Sequence, residues 1–124
     1  MRMKLFRSPL LRAVVAASFI VAGAWSPVRA QISDAHQRAV NLARMRAEHV
    51  NGGLGRYRAA TCMYDTSAGG GSCLINTEGG FTFRFEGGPP GWQQNGLEPT
   101  VESEITISID GRTVVKETYN ATTP

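Results

Sequence analysis

The sequence spells no ready-made chemistry. G-x-S-x-G, H-E-x-x-H, the P-loop and paired-cysteine metal motifs are all missing, which removes the usual signatures of acyl transfer, zinc proteolysis and nucleotide binding. Cysteine is scarce. Cys62 and Cys73 are the only two, and ten residues lie between them. A redox pair normally reads C-x-x-C, and a zinc site needs more ligands at closer spacing. The two histidines, His36 and His49, lie on one expected helix, about 20 Å apart, so they cannot share a metal or a proton. Nothing here calls for a metal or a cofactor. There are no internal repeats, and the apolar run Ala13–Trp25 falls well short of the roughly 20 residues a spanning helix needs.

What the first thirty residues do contain is the grammar of a secretory signal. Arg2, Lys4, Arg7 and Arg12 precede the apolar run with no acidic residue among them, and Val28-Arg29-Ala30 follows it. Cleavage is expected between Ala30 and Gln31. The lack of a cysteine after that point argues against a lipid anchor, and the lack of a twin-arginine pair favours Sec-type export. The leader also explains the apparent basicity. The whole chain carries 13 Lys and Arg against 10 Asp and Glu, but five of the cations and none of the anions lie in residues 1–30. Residues 31–124 are therefore mildly acidic, and a basic surface for nucleic acid is not expected.

Residues 31–124 suffice for one domain. A core that small gains from a covalent staple, and export meets an oxidising environment, so a Cys62–Cys73 disulfide is expected. Closing the glycine-rich loop between them contributes about 2–3 kcal/mol in the chain-entropy model.

Ser33 to Val50 reads as a helix with Ser33 as N-cap and Asp34 in the first turn. Its apolar stripe is Ala35, Ala39, Val40, Leu42, Ala43, Ala47 and Val50, and Asn51-Gly52-Gly53 ends it. The period then switches to two. Arg56–Tyr64, Cys73–Asn76, Phe81–Phe85, Val101–Ile109 and Arg112–Tyr119 read as strands, with Phe81, Phe83 and Phe85 the clearest inward face. For the hairpin at Asp110-Gly111, a three-residue loop with Gly111 in a bulge sets Ile105 opposite Val115 and Val101 opposite Tyr119. The expected class is α+β, with one helix packed on a four- to five-stranded antiparallel meander.

Asn51-Gly52-Gly53-Leu54, Phe81-Thr82-Phe83-Arg84-Phe85, Gly87-Gly88-x-Pro90-Gly91, Pro99-Thr100-Val101-Glu102-Ser103 and Tyr119-Asn120 together resemble a group of short secreted, uncharacterised proteins of cyanobacteria. The likeness runs from about residue 41 to residue 120, and its motifs are turns and strands. It implies a bacterial exported protein, secreted or periplasmic, and carries over no activity. It also argues against using Asn120-Ala121-Thr122, which matches a glycosylation acceptor in eukaryotic secretion.

Three clusters compete as sites. The loop Gly87–Pro99 holds Pro89, Pro90, Trp92, Gln93 and Leu97. Its prolines reduce the entropy lost on docking, and Trp92 either offers a contact or folds back to cap the core. Arg56, Arg58 and Arg84 would form an anion contact if one sheet face gathers them. Glu102 and Glu104, or His36, would serve a small hydrolase, against the plainer reading of a charged strand face. The leading expectation is a non-enzymatic secreted domain that binds a protein or another envelope component. A cystatin-like peptidase inhibitor is the related alternative, by outline of fold alone.

Overall fold

A computed structural model describes residues 31–124; the expected leader and its expected cleavage motif lie outside the described residues. Ser33 caps helix α1 (Asp34–Val50), its hydroxyl accepting the His36 amide at 3.1 Å. Ala39, Val40, Ala43 and Ala47 are fully buried. Alanines at these positions let the helix axis lie close to the sheet beneath.

That sheet has five antiparallel strands: β1 (Arg58–Ala59), β2 (Leu74–Asn76), β3 (Gly80–Gly88), β4 (Val101–Ser108) and β5 (Val114–Thr122). β3 is its spine. One edge of β3 pairs with β4 along its length; β1 meets it at Gly87–Gly88 and β2 at Thr82–Phe83. Phe81, Phe83 and Phe85 face the helix with Ile105 and Ile107 of β4. Full burial of each such side chain contributes on the order of 2 kcal/mol. Among the described residues no helix is long and apolar enough to cross a membrane.

Two sequence expectations fail here. The strand expected over Arg56–Tyr64 shrinks to β1, because Thr61–Tyr64 winds into a 3₁₀ turn. That turn drops Met63 into the core and brings Cys62 within 6.0 Å (Cα–Cα) of Cys73, where the expected disulfide forms. Covalent closure and one buried methionine outweigh the alternating pattern. The β4–β5 register also differs. Ile105 faces Glu117 and Val101 faces Thr122, not Val115 and Tyr119. The turn spans Ile109–Arg112, closed by the Ser108 amide on the Thr113 carbonyl at 2.9 Å. Asp110 braces it by accepting the Arg112 amide and the Ser108 hydroxyl. Two bulges follow in β5, so Glu117 turns inward to Arg46 of the helix at 2.8 Å while Val115 stays exposed. Gly111 has φ +74°, and a Cβ there would stand 2.2 Å from the Ala35 carbonyl oxygen.

A polar seam runs from the core beside Tyr57 out to the surface. The buried Ser103 hydroxyl donates to Asn120 Oδ1 at 2.6 Å, and Asn120 and Asn51 exchange two side-chain hydrogen bonds at 3.0 Å. The glycosylation-like Asn120, though exposed, is thus engaged by Ser103 and Asn51. Tyr57 is 2 % exposed, and its hydroxyl lies near Ser103 without completing a hydrogen bond. Gly87 is what admits the ring: a Cβ there would overlap it at 2.2 Å. Burial pushes the Tyr57 phenol well above its ordinary value of 10.0, and Ser103 tempers the rise. Below about pH 10 the phenol is protonated in both folded and unfolded chains, so nothing is lost. Above it the unfolded chain ionises first, and stability falls by up to about 1.4 kcal/mol per pH unit. Tyr57→Phe should remove most of this alkaline loss, with denaturation midpoints compared across a pH series. A series identical to wild type would refute the assignment.

Candidate functional site

The loop 89–97 does not wave a tryptophan into solvent. Trp92 is 5 % exposed, its indole N–H donates to the Arg58 carbonyl at 2.9 Å, and its ring lies against Gly88. The Trp92 amide closes a turn on Pro89 and its carbonyl accepts from Leu97. Gln93 Oε1 accepts the Thr61 amide at 2.8 Å. The loop is therefore tied by side chains to β1 and to the 3₁₀ turn. Pro89, Pro90, Gln93 and Leu97 remain on the surface.

Where loop and turn meet, a groove of about 290 Å³ is lined by Arg58, Thr61, Tyr64, Trp92, Gln93 and Gln94, with Ala59. Tyr64 is 43 % exposed yet firmly held. The Arg44 guanidinium stacks over its ring at 4.7 Å, and its hydroxyl donates to Glu48 at 3.4 Å. Arg44 in turn donates to the Met63 carbonyl at 3.2 Å, fastening the helix to the turn. Sequence reasoning missed Thr61, Tyr64 and Gln94 as site residues. The alternation of residues 56–64 puts Tyr64 in a strand, and no local pattern marks the 3₁₀ turn that presents it.

The three arginines are not gathered. Arg56 precedes β1, in the turn closed on the Gly53 carbonyl. Arg58 pairs across from Gly88 and donates through Nε to the Leu54 carbonyl. Arg84 lies four residues back along β3, roughly 13 Å away, and holds Glu104 at 2.8 Å. That contact keeps the Glu104 carboxyl below its ordinary range. Glu102 stands directly across from Glu86 and accepts the Tyr119 hydroxyl at 3.3 Å. These two carboxylates border a more open cleft of about 420 Å³ that also reaches Arg84 and the disulfide.

His36 lies under the disulfide loop. Its ring stacks on Phe81 with centroids 4.6 Å apart, and Nε2 lies 2.9 Å from the Gly69 carbonyl, which accepts from it. Neither partner is a carboxylate, so the ring is seated as a brace for the loop. His49 is exposed near the helix end. Among the described residues no group of three His, Cys, Asp or Glu side chains gathers as metal ligands.

Compared with protein-family models, curated proteins and solved structures, the chain matches none.

Proposed function

We propose that this chain is an exported, non-enzymatic binding domain that engages a protein or another envelope component through the groove beside residues 89–97. One observation carries the reading: the groove is preorganised, with Trp92 hydrogen-bonded to β1, Gln93 tied to Thr61, and Tyr64 clamped by Arg44 and Glu48. A rigid rim loses little entropy when it docks, and an exposed aromatic supplies the contact area. Export rests on the leader of residues 1–30, with cleavage between Ala30 and Gln31. The disulfide and the resemblance to secreted cyanobacterial proteins support it.

A diazirine photolabel at position 94 tests the site. It should trap an envelope component far more efficiently than the same label at position 78, which lies in the turn at the opposite end of β3. Tyr64→Ala should abolish that preference. Equal trapping from both positions would sink the groove as the contact surface. A peptidase among the adducts would point to the inhibitor reading instead.

A further inference from the structure

We propose that the groove takes a single sugar residue of a neutral or N-acetylated envelope glycan, stacked on Tyr64; the inference rests on this groove being the binding site. A pyranose ring presents an apolar face of C–H groups inside a rim of hydroxyls. The groove offers a partner for each. Tyr64, held by Arg44 stacked over its ring, supplies a fixed aromatic surface that borders the groove. The rim partners are amides and a hydroxyl. Gln93 spends its oxygen on the Thr61 amide, which leaves its NH₂ to donate, and Gln94 forms no hydrogen bond within the described residues. Thr61 adds an exposed hydroxyl.

The same lining disfavours other ligand classes. No carboxylate borders the groove, so nothing selects a cationic side chain. Arg58 is its single cation, and its Nε is given to the Leu54 carbonyl, so a phosphate would meet one guanidinium edge and no second cation. The adjoining strand β1 is two residues long, too short an edge to add an extended peptide. At about 290 Å³ the groove stands at the small end of ligand pockets, suited to one ring.

Trp92 borders the groove and is the single tryptophan of residues 31–124, so its emission reports occupancy directly. Titration with chitotetraose and with cellotetraose should give a saturable change with at least one of them. Tyr64→Phe should retain it, and Tyr64→Ala should weaken it by about tenfold. Gln94→Ala, at an exposed position, should weaken it with the melting temperature unchanged, which separates lost binding from lost folding. No saturable emission change, no binding heat by calorimetry and no retention on purified peptidoglycan would overturn the glycan assignment. If position 94 then still traps a protein, the groove stands as a site and only the glycan falls; if it traps nothing, both fall.

Discussion

Trp92→Ala is expected to lower folding stability by about 3 kcal/mol, the lower end of the range for truncating a buried tryptophan. The indole packs over Gly88 at the rim of the sheet, and its N–H is donated to the Arg58 carbonyl. Truncation leaves a gap and removes that donor, while the backbone hydrogen bonds of the loop remain. Trp92→Phe keeps most of the apolar contact and should cost about 1 kcal/mol, the worth of one hydrogen bond. Urea denaturation of both variants checks the pair. A loss below about 0.5 kcal/mol for the alanine variant would mean that the ring is not the anchor described. It follows that Trp92→Ala is a poor probe of binding by itself, because loss of capture would mix a loosened rim with a lost contact.

The second large effect belongs to the disulfide. Replacing Cys62 and Cys73 by serine together should cost about 3 kcal/mol, since the bond closes a loop of some dozen residues in the unfolded chain. The folded loop has other restraints. Asp65 Oδ1 accepts from the Ser67 hydroxyl and the Ala68 amide, and His36 holds the Gly69 carbonyl. The double variant should therefore keep its native spectrum and lose stability chiefly by enlarging the unfolded ensemble. Its denaturation midpoint should match that of reduced wild-type protein. Equal stability of oxidised and reduced protein would contradict this account. For a domain with a total stability of order 5–15 kcal/mol, such a loss is a substantial share.

Much of this architecture was legible. The alanine stripe of α1 and the Phe81–Phe83–Phe85 alternation each carry a single period over enough residues to fix a face. Ala39, Val40, Ala43 and Ala47 and all three phenylalanines are buried as expected, whereas Ala35 and Leu42 are only partly covered and Val50, at the end of the helix, is exposed. Legibility ended where two local preferences competed. Arg56–Tyr64 alternates well enough for a strand, yet the demand that Cys62 reach Cys73 turns it into a 3₁₀ segment. In β5, pairing Ile105 with Val115 looked best for apolar burial, but the Arg46–Glu117 ion pair and the Asp110 turn set a bulged register instead. The Arg46–Glu117 pair is long-range, separated by 71 residues, and no window of sequence contains it. The groove was invisible for the same reason. The prolines mark the loop as a surface element, but its partner across the groove is the very turn that replaced a strand.

The docking of α1 also bears on when the molecule can finish folding. The helix is the first element of the described residues to be made, and its side chains close on the last strand through Arg46–Glu117 and Asn51–Asn120. The β3–β4–β5 hairpins are local and can zip early, and β3 and β4 suffice to cover the alanine face, but the helix lacks its Arg46 and Asn51 ties until β5 has emerged. A chain passing N-terminus first through a narrow channel would thus keep the helix unlatched on its β5 side until that strand had followed.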